Sequence, residues 1–386
     1  MKYYLWHRFI FVILRYTAGP IIRAVMRYRV KKLDGPGSPS LVIANHNTDL
    51  DPALVAMGFS RHMYFVASEH AFRKGVKSKI LRAVFEPIPI NKTRADIGAI
   101  REVLRRLKAG ANVCLFAEGD RAYNGMTGPI SISTAKMVKA SGADLVTFRL
   151  EGGYFTMPRW AKHLRSGKMA GNMVNRYPAA EMKTMSDEQI LDLIRQDIFE
   201  DAYEQQKVTP IRYQGSRLAE GIELALYLCP GCHSIGTLRS DGDRFYCGCG
   251  LEATYDATGF LKGEGVPFST ITEWDKWQAK ELEGIIKNAG NDPICKDEGQ
   301  KLFLVHAASG IERKGEGPMY IDREAFHCAG NTFPLREIVR FTIVGRMNLV
   351  FSLKNGAMYE VSSDTPRSAL KYREIFRILN KASLGA

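Results

Sequence analysis

The sequence predicts an α/β protein with a mainly parallel sheet and flanking helices, followed by a small cysteine-containing segment and a small β-barrel-like C-terminal domain. Between residues 41 and 148, short apolar runs alternate with helical patterns, which is typical of parallel strands joined by helices. Two pairs of cysteines lie between residues 229 and 249. From residue 301 onward, short apolar runs are separated by Gly, Asn and Asp turns.

Strands in the first part of the chain are predicted where short apolar runs are bounded by turn residues, at residues 40–44, 64–67, 86–91, 112–116 and 145–150. Helices are predicted at residues 51–57, 95–108 and 132–140. Pro52 favours a helix start beside it, and Gly58 and Gly110 favour the ends of the first two helices. Because parallel sheets bind ligands at the carboxyl ends of their strands, the residues that follow 44 and 116 are candidate site residues.

Capping patterns predict the later helices. Ser186 with Gln189 opens one helix, and Thr270 with Glu273 opens another that runs to about residue 287. Residues 364–366, Asp-Thr-Pro, predict the start of a final helix that runs to about residue 381. Strands of the C-terminal part are predicted at residues 302–305, 319–321, 339–344, 349–353 and 358–361. Short strands closed by one C-terminal helix resemble a pleckstrin-homology (PH) or GRAM-like barrel.

The N-terminal segment combines a large local excess of positive charge with the most apolar stretch of the chain. Residues 1–34 contain eight Lys and Arg residues against one Asp, in a chain with a formal net charge of +13. Basic side chains among aromatic and aliphatic ones are typical of a helix that lies in the interface of an anionic phospholipid membrane. His7, Arg8 and Arg15 interrupt the apolar run, so it is far shorter than the ~20 residues of a spanning helix. The alternative is an ordinary helix packed on the core.

The overall composition is globular. Of 386 residues, 45% are hydrophobic and 25% are charged, which excludes wholesale disorder and a protein with many membrane spans. The length predicts roughly two or three domains. The N-terminal segment has no small-residue cleavage site, so we expect it to remain part of the mature protein.

His46 and Asp51 are the candidate catalytic residues. Residues 45–51 read Asn-His-Asn-Thr-Asp-Leu-Asp. A neutral histidine with a pKa near ~6.5 suits a general base, and a carboxylate that accepts from its Nδ1 fixes its tautomer. Five residues of regular helix correspond to about 500° of rotation, so the two side chains meet only if the chain turns between them. The alternative is that Asp51 merely caps the helix that Pro52 begins.

Residues 116–121, Phe-Ala-Glu-Gly-Asp-Arg, form the second candidate motif. Gly119 permits a tight turn, and Glu118 and Arg121 supply charged groups at a strand end, which suits anion binding. The alternative is a surface turn that holds an ion pair.

Together the two motifs resemble the 1-acylglycerol-3-phosphate acyltransferase family of glycerolipid acyltransferases. The family's first block, Asn-His-x-Ser/Thr-x-x-Asp, is matched at residues 45–51, and its third block, Phe-Pro-Glu-Gly-Thr/Asn-Arg, at residues 116–121, where Ala and Asp replace the proline and the neutral residue. The resemblance covers roughly residues 20–165 and implies the glycerolipid acyltransferase fold. It implies that His46 is the base and Asp51 its orienting partner, and that Glu118, Gly119 and Arg121 bind the glycerol-phosphate part of the acceptor.

The second and fourth blocks of the family match loosely. Lys92 stands where the second block has an arginine after an apolar strand, and Arg94 lies nearby. By resemblance, Lys92 joins the acceptor-binding residues, as a point charge rather than a bidentate fork. The fourth block has a proline on an apolar strand, and residues 145–148 have none.

Cys229, Cys232, Cys247 and Cys249 resemble the ligands of a zinc ribbon. Two thiolate pairs across a hairpin supply tetrahedral coordination, and four thiolates leave no open position, so the expected metal is structural. The second pair is Cys-x-Cys, one residue shorter than the first, and His233 is an alternative ligand. Without a secretion signal, clustered cysteines favour metal binding over disulfides and a cytoplasmic setting.

The resemblance implies transfer of a fatty acyl group from acyl-CoA or acyl carrier protein to the free hydroxyl of 1-acylglycerol-3-phosphate (lysophosphatidic acid), which gives phosphatidic acid for phospholipid synthesis. The expected location is the cytoplasmic face of the cell membrane, bound peripherally to anionic phospholipid. The alternatives are the same chemistry on another lysophospholipid or aminolipid acceptor, and a non-catalytic membrane- or protein-binding module. A nucleic-acid-binding function is disfavoured, since no basic patch with interleaved aromatic residues surrounds the cysteines.

The expected domains follow from these assignments. They are a basic amphipathic membrane-interface segment at residues 1–34, an acyltransferase domain with a trailing helix at 35–215, a zinc-ribbon-like segment at 225–262, a connecting helix at 268–290 and a PH/GRAM-like domain at 300–386.

Overall fold

The computed structural model describes residues 4–31, 39–68, 83–90, 97–290, 292–306 and 310–384. The chain divides into two compact units. The first comprises Met1–Arg159 and Leu164–Gln214, and the second comprises Trp160–His163 and Gly215–Ala386.

A seven-stranded sheet forms the centre of the first unit, in the order β1-β7-β6-β2-β5-β3-β4. Neighbouring strands run parallel except β6 and β7, which are antiparallel. The mainly parallel sheet predicted from the sequence is therefore confirmed. The strands are β1 Tyr28–Val30, β2 Ser40–Ala44, β3 Met63–Ser68, β4 Ile88–Ile90, β5 Asn112–Phe116, β6 Asp144–Glu151 and β7 Met169–Tyr177.

Helices precede the sheet and connect its strands. They are α1 Tyr4–Tyr16, α2 Ala18–Val25, α3 Asp51–Gly58, α4 Ile97–Lys108, α5 Ile132–Ser141, α6 Gly153–Thr156, α7 Ala179–Thr184, α8 Asp187–Ile198 and α9 Ala202–Val208. Among the described residues, no helix combines the length and apolar character that crossing a bilayer requires.

Both faces of the central sheet are covered, which explains why β2 is apolar from residue 41 to residue 44. Leu41 and Ile43 point to one face, where they pack in the same core as Val103 of α4 and Ile194 of α8. The alternate residues of the strand pack on the opposite face, in a core that includes α3. The buried layers fix the register of β2, because a shift by one residue would exchange the two faces.

The carboxyl ends of β2 and β5 lie side by side at one edge of the sheet, next to β6, which continues to Glu151. Ala44, the last residue of β2, pairs with Phe116 of β5 on one side and with Phe148 of β6 on the other. The loops that leave these strands therefore start side by side. Both sequence motifs lie in these loops.

Two antiparallel sheets belong to the second unit. The smaller has the order β11-β10-β9-β8, and the larger has the order β15-β14-β13-β12-β18-β17-β16. The strands of the smaller sheet are β8 Leu238–Asp241, β9 Arg244–Cys247, β10 Glu252–Tyr255 and β11 Leu261–Lys262. Those of the larger sheet are β12 Cys295–His306, β13 Gly310–Ile321, β14 Ala325–Cys328, β15 Asn331–Pro334, β16 Ile338–Val344, β17 Asn348–Leu353 and β18 Met358–Ser363.

The helices of the second unit are α10 Ile271–Asn288 and α11 Ala369–Leu384, with short 3-10 turns at Ile222–Leu224 and Leu335–Glu337. Seven antiparallel strands followed by α11 are compatible with the PH/GRAM-like resemblance. The predicted start of the last helix is wrong, since α11 begins at Ala369 rather than beside Pro366. Residues 364–366 instead form part of the turn after β18, where the Thr365 N–H donates to Ser363 Oγ.

Capping side chains begin two helices as the sequence predicts. Ser186 and Gln189 form the capping box of α8, and Thr270 and Glu273 form that of α10. In each box the hydroxyl accepts from the N3 backbone N–H, and the N3 side chain accepts from the N-cap N–H.

Candidate active site

The loop between β2 and α3 brings His46 and Asp51 together. His46 Nδ1 lies 2.9 Å from Asp51 Oδ2. An ionised carboxylate can only accept, so the neutral imidazole carries its proton on Nδ1 and leaves Nε2 as the basic atom. The His46 side chain is 21% exposed, whereas Asp51 is fully buried. The arrangement is that of a general base held by a buried partner.

Asp51 is fixed by donors from its own loop. Its Oδ2 accepts from the backbone N–H groups of Asn47 (2.6 Å) and Thr48 (2.9 Å), and its Oδ1 accepts from Thr48 Oγ1 (2.6 Å). Asp51 is the first residue of α3, and Leu50 occupies the N-cap position. Its carboxylate therefore orders the loop rather than capping the helix, and this order holds His46 in one orientation.

The Phe116 ring packs against one face of the His46 imidazole. The two rings are stacked with centroids 4.4 Å apart and planes 20° apart. Phe116 ends β5 beside the end of β2, so the aromatic residue of the second motif sets the plane of the base in the first.

Glu118 joins the two motif loops. Its Oε1 accepts from the His46 backbone N–H at 2.7 Å, and its Oε2 accepts from the Gly128 N–H at 2.6 Å. Burial raises the pKa of Glu118 to about 8, against the two N–H groups, which lower it. Gly119 follows with φ +70°, a conformation that favours glycine, and turns the chain toward Arg121.

Arg121 supplies positive charge beside the His46 loop. Its guanidinium is largely buried, and Nη1 lies 3.3 Å from Asp49 Oδ2. Burial lowers the pKa of Arg121, and Asp49 opposes this shift. Asp49 is 66% exposed, so an incoming anion can replace it without removing a buried group.

Arg159 is a residue of this region that sequence reasoning missed. Its Nη1 donates to the Arg121 carbonyl at 3.1 Å and lies 3.3 Å from Asp120 Oδ1. The guanidinium also lies 4.5 Å from the centroid of the Tyr123 ring. Arg159 therefore offsets the charge of Asp120, the acidic departure from the family motif. Nothing near residue 159 in the sequence marks it as a partner of the motif.

Lys92, the remaining predicted acceptor-binding residue, lies outside the described residues, as does Arg94. The position of the second block relative to His46 thus stays a prediction.

Four cysteines of the second unit, Cys229, Cys232, Cys247 and Cys249, come together as one group. All four Sγ atoms lie within 4.8 Å of one another. Two of the separations, Cys229 to Cys249 and Cys232 to Cys247, are 3.7 Å. A tetrahedral zinc with Zn–S bonds of ~2.3 Å has sulfur atoms about 3.8 Å apart. The group therefore fits a four-thiolate metal site, whereas a disulfide requires sulfur atoms about 2.05 Å apart.

His233, the alternative ligand, is engaged elsewhere. Its Nδ1 lies 2.7 Å from Glu281 Oε1 of α10, and its ring meets the Trp277 ring edge-on with centroids 5.7 Å apart. It is not part of the cysteine group. The same helix anchors the chain just before the cysteines, since Trp274 Nε1 donates to the Leu228 carbonyl at 2.9 Å.

Helices α1 and α2 expose large apolar side chains. On α1, Leu5 (77%), Phe9 (58%), Val12 (49%) and Tyr16 (70%) share one exposed face at helical spacing, and Trp6 (52%) is also exposed. Ile21 (65%) and Val25 (47%) continue the apolar surface on α2. The opposite face is held to the first unit, where buried His7 bonds the Tyr64 hydroxyl at 3.2 Å. The face of α1 that carries His7 therefore packs against the first unit, and its apolar face is exposed.

The class of the protein follows from the first unit. Residues 25–151 match the family model described as Acyltransferase. The matched span contains the two motif loops with His46, Asp51, Glu118 and Arg121. The chain therefore contains an acyltransferase domain, as the two motifs predict.

Among solved structures, the chain is similar to the 1-acyl-sn-glycerophosphate (LPA) acyltransferase PlsC from Thermotoga maritima. The TM-score is 0.39 and the sequence identity is 17%, over 47% of this chain and 73% of that chain. The search of curated proteins gave no match.

Proposed function

We propose that the enzyme transfers a fatty acyl group from acyl-CoA or acyl carrier protein to the free hydroxyl of lysophosphatidic acid and so forms phosphatidic acid. The observation that carries the proposal is the His46–Asp51 hydrogen bond next to Arg121. A base and a cation at one sheet edge suit an acceptor that presents a hydroxyl and a phosphate on one glycerol unit.

In this mechanism the acceptor hydroxyl gives its proton to His46 Nε2 as its oxygen attacks the thioester carbonyl. Asp51 stabilises the imidazolium that forms. The C–O ester bond forms, the C–S bond breaks, and the thiol leaves with the proton returned by His46. Arg121 binds the acceptor phosphate in place of Asp49. Glu118 and Gly119 shape the turn that presents Arg121, and Lys92 is the further cation that we propose for the acceptor.

An aminolipid or another lysophospholipid is the second candidate acceptor. Asp49, exposed beside Arg121, favours it, because a cationic headgroup pairs with a carboxylate. The acceptor test below separates the two.

The acceptor is tested with labelled acyl-CoA and acyl-carrier-protein donors and an acceptor panel of lysophosphatidic acid, lysophosphatidylethanolamine and monoacylglycerol. We expect lysophosphatidic acid to be the best acceptor. Arg121→Gln should raise its KM by about tenfold or more, since a charge-assisted bond is worth ~1.5–3 kcal/mol. The KM for monoacylglycerol, which lacks phosphate, should change little and serves as the internal control. Equal effects on both acceptors would contradict phosphate binding by Arg121.

Attachment to an anionic membrane surface is the proposed role of the exposed face of α1 and α2. Basic side chains at Arg8, Arg27 and Arg29 are also exposed on this N-terminal region. Apolar side chains that enter the lipid interface and basic ones that face anionic headgroups act together in such binding. The proposed partner is thus a phospholipid bilayer that also carries the acceptor.

Vesicle flotation tests this attachment. The double variant Leu5→Glu/Phe9→Glu should reduce binding to anionic vesicles at least about tenfold, because each large apolar side chain contributes up to ~1.5–3 kcal/mol on burial. Ile311→Glu is the control, since Ile311 (54%) is an apolar residue of the second unit with an exposure close to that of Phe9 (58%). Unchanged flotation of the double variant would count against the helix face.

We also propose that the four cysteines hold one structural zinc ion. Cys229, Cys232, Cys247 and Cys249 would supply all four ligands and leave no position for substrate, so the ion takes no part in acyl transfer. Its proposed role is to fix the hairpin of β8 and β9 to the preceding turn.

A further inference from the structure

Glu200 is a buried carboxylate at the active-site edge that neither motif includes. It lies beyond the span that matches the acyltransferase family model, shortly after the end of α8, and is 2% exposed. A buried acidic side chain is costly unless donors satisfy it, so its partners indicate its role.

The carboxylate of Glu200 holds both neighbours of His46. Its Oε2 accepts from Asn47 Nδ2 at 2.6 Å and from Asn45 Nδ2 at 3.0 Å. Its Oε1 accepts from the Gly152 N–H at 3.1 Å. One side chain therefore ties the residues on each side of the base to the end of β6.

The backbone of Glu200 is itself fixed. Its N–H donates to Thr127 Oγ1 at 2.8 Å, and its carbonyl accepts from the Thr127 N–H at 2.9 Å. Thr127 precedes Gly128, whose N–H binds Glu118. Both buried carboxylates thus hold the His46 loop, Glu118 through the backbone N–H of His46 and Glu200 through the side-chain amides of Asn45 and Asn47.

We propose that Glu200 is a positioning residue for acyl transfer, which holds Asn45 and Asn47 and thereby fixes the loop that carries His46. The role rests on the proposed function for its effect on rate, but its effect on His46 geometry is independent of substrate. Burial raises the pKa of Glu200 to about 8. The hydrogen bonds from Asn47 and the Gly152 N–H favour the ionised form and oppose this rise in the pKa.

A second buried carboxylate offers a matched control. Asp197, three residues earlier, accepts from Thr147 Oγ1 (2.7 Å), Asn175 Nδ2 (2.9 Å) and the Tyr177 hydroxyl (2.9 Å). Its partners lie on β6 and β7, away from the His46 loop. Substitution at either site removes a buried carboxylate that accepts three hydrogen bonds. Of the two carboxylates, Glu200 is the one that contacts the neighbours of His46.

The kinetic test compares Glu200→Gln, Glu200→Asp and Asp197→Asn with the wild type at a temperature where all remain folded. Glu200→Gln should lower kcat by about 10–100-fold with little change in the acceptor KM, because a small misplacement of a catalytic group costs up to about 10²-fold. Glu200→Asp, which keeps the charge on a shorter side chain, should lie between it and the wild type. Asp197→Asn should change kcat less than about threefold at a comparable loss of Tm. Equal losses of kcat in Glu200→Gln and Asp197→Asn would overturn the proposal.

A spectroscopic test needs no substrate. The Nδ1–H proton of His46 should give an NMR signal that is absent from His46→Ala, since its bond to Asp51 shields it from exchange. In Glu200→Gln this signal should shift or broaden, and in Asp197→Asn it should stay unchanged. An unaltered signal in Glu200→Gln would overturn the positioning role. Failure of the wild type to acylate any acceptor, with the signal still sensitive to Glu200, would instead reject the proposed function alone.

Discussion

His46→Ala should reduce acyl transfer about 10³-fold or more, because a positioned general base contributes typically about 10²–10⁴-fold. No second base is available to the variant at this place, since the other described histidines of this unit lie elsewhere and Asp51 is fully buried. The measurement is single-turnover transfer of a labelled acyl group to lysophosphatidic acid on anionic vesicles. The loss should fall on kcat, with vesicle binding and Tm close to the wild type.

Asp51→Asn should lower kcat by about 10²-fold or more through the same base, because a neutral amide cannot stabilise the imidazolium that forms on His46. His306→Ala is the control for His46→Ala, since His306 is an exposed histidine of the second unit that pairs with Glu312. Retention of more than a tenth of wild-type activity in His46→Ala would reject His46 as the base and favour a non-catalytic role for the site.

The purified protein should contain one zinc ion per chain, and its removal should unfold the cysteine segment. Structural zinc supplies ~10–16 kcal/mol in small zinc domains, which is comparable to the ~5–15 kcal/mol stability of a whole domain. Cys229→Ser should therefore lose the metal and expose residues 229–250 to proteolysis. The measurements are elemental analysis of the metal and limited proteolysis with and without a chelator.

Cys328→Ala is the matched control for the metal. Cys328 is a fully buried cysteine of the same unit that is not part of the cysteine group, so its loss removes a buried thiol without removing a ligand. This variant should keep one zinc per chain. A wild-type protein that carries no metal and resists proteolysis equally in chelator would contradict the zinc site.

Local sequence patterns predicted much of the first unit, because each depended on residues close together in the chain. The strands 40–44 and 112–116 coincide with β2 and β5, and their neighbouring carboxyl ends explain why the two motifs meet. Both capping boxes formed as predicted. Hydrophobic runs and caps are local signals, and the pairing of the strands in the sheet brings the two motif loops together.

The features that the sequence did not reveal depend on distant contacts. Strand β7 carries many polar residues and runs antiparallel to its neighbour β6, and its pattern lacks the apolar run of a buried strand. Glu200 meets Asn45 across 155 positions, and no local pattern distinguishes a buried carboxylate from a solvated one. Arg159 likewise meets the second motif across 38 positions.

The hydrogen bonds of Glu118 couple the two motif loops energetically. One carboxylate oxygen binds the backbone of the residue that carries the base, and the other binds the segment that leads on from the turn. Groups in one hydrogen-bond network commonly couple by about 0.5–3 kcal/mol, so substitutions in the two loops should be non-additive. A change at position 118 then lowers the rate even if the carboxylate never touches the acceptor. The two loops form one hydrogen-bonded unit, so a substitution in one should change the effect of a substitution in the other.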